Sequence, residues 1–185
     1  MDGTLTHAIH DFEWIRKQLG LPAGSMILEE IAKMSASDAQ KTNQHLYDLE
    51  HEVALRATAQ PGAKQLLTEL RDKNYETGIV TRNSESLALI TLQACGLDHF
   101  FVPETVIGRE RCEPKPSPAG IDVLLEHWRA QADNTVMIGD YIFDLEAGRN
   151  AGTKTVHFDI NSEFPWPEQT DVCVTTLHEL LESIQ

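Results

Sequence analysis

The sequence predicts an α/β fold with a sheet of about five parallel strands. From Ala63 onward, short apolar runs of strand length alternate with stretches in which apolar residues recur every three or four positions. Residues 136–138 form a continuous apolar run that ends at Gly139, which is typical of a strand buried on both faces of a parallel sheet. Strands that alternate with helices imply right-handed crossovers, and hence parallel pairing.

Composition limits the classes of partner. The chain has 185 residues, 41% of them hydrophobic, which is enough for a substantial core with a small inserted unit. Its formal net charge of −14 argues against a nucleic acid or an anionic membrane as partner. An anionic substrate would therefore need local cations. Three cysteines without a CxxC pair, and no apolar run of membrane-spanning length, predict reduced thiols in a cytoplasmic protein.

Residues 7–58 read as helix throughout. A first helix carries Phe12, Ile15 and Leu19 on one face, and Gly20 ends it. A shorter helix follows from Ile27. Ser37 with Gln40 has capping-box spacing and predicts the start of a third helix. We therefore expect a small helical bundle at 7–58, set on a core formed by 1–6 and 59–185.

The remaining elements follow in order after the Pro61-Gly62 break. We predict a helix from Ala63, a strand at 77–81, a helix capped by Asn83 or Ser84, a short strand within 100–107, a helix opened by Ser117, the strand at 136–138, a helix ended by Gly148 or Gly152, strands at 155–158 and 172–174, and a final helix that Thr176 and Glu179 cap and that extends to Ile184.

Polar residues collect where the predicted strands end, which is where parallel sheets place functional groups. Each has an ordinary structural explanation: Thr81 caps a helix, Lys115 is a solvated surface lysine, and Asp144 complements a helix dipole. The alternative is a site for a hard cation, because Mg²⁺ commonly binds through one or two carboxylates. The candidates are Thr81, Arg82, Asn83, Lys115, Asp140 and Asp144.

Taken in order, these motifs resemble the haloacid dehalogenase-like hydrolase superfamily. The sequence DGTLT at 2–6 precedes the helical segment, a strand then ends in Thr81, Lys115 lies in EPKPSP, and GDYIFD follows at 139–144. The likeness is to the phosphoglycolate-phosphatase-like members. It implies a Rossmann-like, three-layer parallel-sheet core with 7–58 as an inserted, all-helical cap.

The resemblance also implies roles for these residues. Asp2 would act as general acid and base and give its backbone carbonyl to Mg²⁺, together with the Asp140 carboxylate and Asp144 as a supporting carboxylate. Thr81 would bind the phosphoryl group and Lys115 would neutralise it, with Arg82 and Asn83 in the same substrate-binding set. The implied activity is Mg²⁺-dependent hydrolysis of a small phosphorylated metabolite through an aspartyl-phosphate, by a monomer or weak homodimer.

Two departures from the family pattern affect these expectations. The family motif is Asp-x-Asp-Gly-Thr with its first Asp as nucleophile, and Met1 occupies the x position. The nucleophile would then lie one residue before Met1, and we expect the 185-residue chain alone to be inactive. In many phosphoglycolate-phosphatase-like sequences an Asn directly follows the Thr, whereas here Arg82 intervenes, which leaves the substrate open.

Three alternatives remain. One is a phosphomutase of the same superfamily, and another is a degenerate relative that binds phosphorylated ligands or a protein partner without catalysis. The third is a phospho-accepting signalling receiver, whose acidic residues precede its Thr and Lys. Here Asp140 and Asp144 come after Thr81 and Lys115, so the receiver is the least favoured.

Overall fold

The computed structural model describes residues 1–183, and the predicted α/β fold is confirmed. Ile184, expected on the last helix, lies outside the described residues. The helices are α1 (Phe12–Leu19), α2 (Ile27–Ala32), α3 (Ala36–Ala54), α4 (Ala63–Asp72), α5 (Glu85–Ala94), α6 (Ala119–Trp128), α7 (Ile142–Ala151) and α8 (Leu177–Ser183). The strands are β1 (Ile79–Val80), β2 (Val106–Ile107), β3 (Val136–Gly139), β4 (Lys154–Phe158) and β5 (Val172–Val174).

All strand pairings are parallel, as the alternating pattern predicted, but they form two sheets. β1 pairs with β2, whereas β3 pairs with β4 and β4 with β5. Because β3 lies at an edge of its sheet, its first residue is not covered: Val136 is 51% exposed. The prediction that this strand is buried on both faces is therefore wrong at Val136.

The strands lie between two layers of helices. Side chains on one face of the strands join the main apolar cluster with α4, α5 and α8; they include Ile79, Ile138 and Val156. On the other face, Val80 approaches Gly120 of α6, and Met137 approaches Gly148 of α7. The result is the three-layer, Rossmann-like arrangement.

A second, separate apolar cluster holds the three N-terminal helices together. Ile15 of α1, Ile31 of α2 and Leu46 of α3 are its buried members. The two chain segments that lead to and from these helices run side by side, since the N–H of His7 donates to the carbonyl of Thr58 at 3.0 Å and that of Gln60 to the carbonyl of Leu5 at 2.8 Å. Among residues 1–183, no helix is both long and apolar enough to cross a membrane.

Two predicted helix boundaries differ from the structure, and a third is decided between two candidates. Ser35, not Ser37, caps α3, because its hydroxyl accepts the N–H of Asp38 at 3.2 Å. α6 begins at Ala119, directly after Pro118 and two residues past the predicted Ser117. Of the two glycines predicted to end α7, Gly152 is confirmed as the terminating residue, whereas Gly148 lies inside this helix where the backbone packs closely on the sheet.

Candidate active site

One cavity of about 400 Å³ lies between the N-terminal helices and the carboxyl ends of β1 and β3. Helical residues such as Leu28, Leu46 and Glu50 line one side of it. The other side brings together all seven candidate residues from the sequence: Asp2, Thr81, Arg82, Asn83, Lys115, Asp140 and Asp144.

Lys115 and Asp144 form a buried ion pair at the base of this cavity. The ammonium of Lys115 donates to Oδ1 of Asp144, and these residues are only 6% and 5% exposed. Oδ2 of Asp144 accepts the backbone N–H of Tyr141 at 3.1 Å. Burial alone would raise the pKa of Asp144, but the Lys115 charge and these hydrogen bonds outweigh it and hold the pKa below its ordinary value. Asp144 therefore stays ionised and fixes the Lys115 ammonium in place.

Asp140 lies beside this pair with a different electrostatic character. Its Oδ1 accepts the hydroxyl of Thr4 at 2.8 Å. Burial and the neighbouring Asp144 charge raise the pKa of Asp140, opposed by the α-ammonium of Met1, the Thr4 hydrogen bond and the Lys115 charge. Because the Lys115 charge is already paired with Asp144, a separate cation beside Asp140 would favour the ionised form of the Asp140 carboxyl group.

Two glycines allow the carboxylates to approach the backbone this closely. A Cβ on Gly3, whose φ is +85°, would lie 2.1 Å from Oδ2 of Asp140. A Cβ on Gly139 would lie 2.1 Å from Cβ of Asp144. Neither position can hold a side chain without moving a carboxylate.

Asp2 belongs to a tight turn at 1–6 that faces Asp140. The carbonyl of Met1 lies within hydrogen-bonding distance of three successive N–H groups, those of residues 4, 5 and 6, at 3.1, 2.8 and 3.2 Å. Oδ1 of Asp2 accepts the hydroxyl of Thr6 at 3.2 Å. This turn positions the half-buried Asp2 on the lining of the cavity.

The turn between β1 and α5 presents a hydroxyl at a helix N-terminus. Oγ1 of Thr81 accepts the N–H of Asn83 at 3.1 Å, and Oδ1 of Asn83 accepts the N–H of Ser84 at 2.8 Å. Ser84 in turn caps α5. Because a hydroxyl that accepts a hydrogen bond keeps its own proton to donate, Thr81 can still bind an anionic oxygen.

Arg82 points between the three N-terminal helices α1–α3, here called the helical unit, and the sheet core. Its Nη2 donates to both oxygens of Glu29 on α2, at 2.7 and 2.9 Å, and its Nη1 donates to the carbonyl of Lys115. The guanidinium also lies 4.7 Å from the ring centre of Phe143. The side chain expected to bind substrate thus has protein partners around it, and it links α2 to the Lys115 loop.

A second ion pair lies in the cavity, between Glu50 of α3 and Arg109, and it was not predicted from the sequence. Nη1 of Arg109 lies 3.1 Å from Oε1 and 2.9 Å from Oε2 of Glu50. Burial raises the pKa of Glu50 to about 7, although the Arg109 charge opposes this. The available signal was the position of Glu50 between Leu46 and Val53 on the apolar face of α3. Arg109 lies in a charged loop without any such pattern.

The donors available for a cation on the core side of the cavity are carboxylate and backbone carbonyl oxygens. Within residues 1–183, no group of three or more His, Cys, Asp or Glu side chains is arranged as a metal cluster. Asp144 has partners on both oxygens and Glu50 faces Arg109, which leaves the Asp140 carboxylate and the oxygen atoms of Asp2 to bind a cation. Two hard oxygen donors fit Mg²⁺, which keeps several waters and completes its shell with substrate phosphate, and do not fit zinc.

Comparison with known proteins gives a consistent family assignment. A sequence profile described as haloacid dehalogenase-like hydrolase matches residues 8–158. A pyrophosphatase PpaX of Listeria innocua is 29% identical over 155 residues, which cover 82% of this chain and 70% of the relative.

Solved structures give the same assignment at the level of the fold. A hydrolase from Pseudomonas syringae superposes with a TM-score of 0.80 at 21% identity, covering 99% of this chain and 95% of the other. A putative phosphoglycolate phosphatase from Lactobacillus plantarum superposes with a TM-score of 0.78 at 16% identity, covering 98% and 95%.

Proposed function

The chain belongs to the haloacid dehalogenase-like hydrolase family, and on this basis we propose that it is a Mg²⁺-dependent phosphatase of small phosphorylated metabolites. The observation that carries the proposal is the buried Lys115–Asp144 pair, which lies in one cavity with the Thr81 hydroxyl and the Asp140 carboxylate. This is a fixed cation and a hydroxyl donor next to carboxylates that suit a metal ion. Phosphoryl transfer depends mainly on such positioning and charge neutralisation.

Each residue has a distinct part in the proposed reaction. The Thr81 hydroxyl and the Lys115 ammonium bind phosphoryl oxygens, and Asp144 keeps Lys115 in position. The Asp140 carboxylate and the backbone carbonyl of Asp2 would hold Mg²⁺, which when bound supplies neutralisation of the phosphoryl charge. Asp2 is also the proton carrier.

The proposed reaction needs one further carboxylate, which acts as the nucleophile. We propose that the nucleophile is an Asp at the position that the family motif puts directly before Met1. Its carboxylate oxygen bonds to phosphorus while the bond to the leaving oxygen breaks, and Asp2 gives its proton to that oxygen. Water then attacks the aspartyl-phosphate, Asp2 takes a proton from that water, and phosphate leaves.

We propose residues 7–58 as the cap that limits substrate size. Their side chains close one side of a cavity of about 400 Å³, which holds a small ester and not a folded phosphoprotein. Inorganic pyrophosphate is a second candidate substrate, because a relative from Listeria innocua is named a pyrophosphatase. Hydrolysis of pyrophosphate would use the same phosphoryl-binding residues, Thr81 and Lys115.

Binding of inorganic phosphate tests the proposal without requiring turnover. We expect phosphate to raise the melting temperature of the chain in the presence of Mg²⁺ and much less in EDTA. Asp140→Asn should abolish the Mg²⁺-dependent part of this rise in melting temperature, because the side chain that would bind Mg²⁺ loses its charge. Asp133→Asn, at an exposed position, is the matched control. Equal phosphate binding in EDTA, or in Asp140→Asn, would contradict the proposal.

A further inference from the structure

Glu50 is a buried carboxylate that the proposed reaction does not use. It projects from α3 of the helical unit into the cavity and is only 7% exposed. Charged side chains are almost never buried to this degree without a partner. Its position on the otherwise apolar face of α3 requires a reason beyond packing.

Arg109 satisfies Glu50 only in part. Nη1 of Arg109 donates to Oε1 at 3.1 Å, and the same nitrogen lies 2.9 Å from Oε2. Oε2 is nevertheless buried without a hydrogen bond, because a short distance between charges is not a directed bond. Leaving a buried acceptor without a donor is unfavourable, because its interaction with water is lost and not replaced. A ligand that brings a donor to Oε2 would recover this free energy.

The Glu50–Arg109 pair is hydrogen-bonded to the turn between β1 and α5, which carries Thr81 and is the proposed phosphoryl-binding turn. The backbone N–H of Arg109 donates to the carbonyl of Asn83 at 3.0 Å, and its Nη1 lies 3.5 Å from the carbonyl of Arg82. The charge of Asp2 is also close enough to act on Glu50. Glu50 therefore lies next to the proposed phosphoryl site but on the cap side, where the group esterified to phosphate would be.

We infer that Glu50 is a specificity-determining residue that accepts a hydrogen bond from a hydroxyl group in the alcohol part of the substrate. The substrate class is then phosphate monoesters of polyols. This inference rests on the proposed function, since it assumes that the phosphoryl group binds near Thr81 and Lys115.

The test compares two esters with the same carbon chain. Glycerol 3-phosphate and n-propyl phosphate differ only in hydroxyl groups, and calorimetric titration of the chain with Mg²⁺ measures both, together with inorganic phosphate. We expect glycerol 3-phosphate to bind about tenfold more tightly than propyl phosphate, which corresponds to one hydrogen bond to a charged acceptor. Glu50→Met should bring the two affinities within about twofold, since it keeps side-chain length and removes the acceptor.

Two further variants keep the result interpretable. Glu50→Met with Arg109→Met removes the cation that the single variant leaves unpaired, and it should lose the same preference. Glu52→Met, on the exposed side of α3, should keep the preference. Equal binding of the two esters by the unaltered chain, or a preference that survives in both Glu50 variants, overturns the inference. If phosphate and both esters fail to bind, the proposed function fails and the inference fails with it.

Discussion

The ammonium of Lys115 contacts Oδ1 of Asp144, and both side chains are buried beneath the cavity. Lys115 comes from a loop and Asp144 from the first turn of α7, so the contact joins two separate segments of the chain. The orientation of the cation at the proposed phosphoryl site thus depends on Asp144.

Removing the cation should leave Asp144 as an uncompensated buried charge. Lys115→Met is expected to lower the free energy of unfolding by about 3 kcal/mol. Adding Asp144→Asn to it should restore part of the loss, because the buried charge is then gone. Urea unfolding of the single and double variants measures this, with the exposed Lys154→Met as the control. If Lys115→Met lowered the free energy of unfolding by less than about 1 kcal/mol, the pair would behave as an exposed ion pair, which would contradict its burial.

Gly3→Ala should disturb the Asp140 carboxylate specifically. Its Cβ would lie 2.1 Å from Oδ2 of Asp140, whereas Gly24, with a similar positive φ of +70°, has no atom within 4 Å of its Cβ. Both Ala variants should lose about 1–2 kcal/mol of stability from the left-handed backbone. Only Gly3→Ala should lose Mg²⁺-dependent phosphate binding. Equal phosphate binding by both variants would remove the proposed role of Gly3.

Glu50 should make the protein less stable as the pH rises. Its pKa is about 7 in the folded protein, above the ordinary value of 4.5, so the folded chain holds this proton more tightly than the unfolded chain. The stabilisation is full below pH 4.5 and is lost as the pH rises towards 7. Between pH 5.5 and 7.5 the loss amounts to about 2 kcal/mol. Urea unfolding across this range should show it, and Glu50→Gln should lack this component. Identical pH profiles would contradict the buried, proton-binding Glu50.

Arg82 and Glu29 should behave as one unit. Because Arg82 is already held by Glu29 and the Lys115 carbonyl, Arg82→Ala and Glu29→Ala are expected to have similar, small effects on phosphate affinity. The side chains of this pair are partly exposed, so the stability effect of each should be about 1 kcal/mol or less. A large loss of phosphate affinity in Arg82→Ala alone would instead identify Arg82 as a phosphate ligand.

The sequence predicted the core-side residues of the cavity because their signals are local. Thr81 and Asp140 each follow a short apolar run, and strand ends in parallel sheets converge on one edge. Once those ends converge, Lys115 and Asp144 meet. Local patterns also identified the three N-terminal helices, since apolar spacing alone marks them.

The remaining features depend on packing that local patterns do not encode. Whether β3 lies inside a sheet or at its edge is a property of its neighbours, and for that reason the exposure of Val136 was not predicted. The Glu50–Arg109 pair joins residues 59 positions apart, and it forms only because α3 packs over the loop after β2. The need for Gly3 is likewise visible only when Asp140 is placed against it.

The most direct measurement of the central claim is phosphate release from an aryl phosphate by two chains that differ in one residue. One carries Asp directly before Met1 and the other carries Asn there, each assayed with Mg²⁺ and with EDTA. Turnover is expected only for the Asp chain with Mg²⁺, with the Asn chain slower by roughly three orders of magnitude or more, because a covalent nucleophile is missing. Equal turnover by the two chains, or full activity in EDTA, would contradict the proposed mechanism.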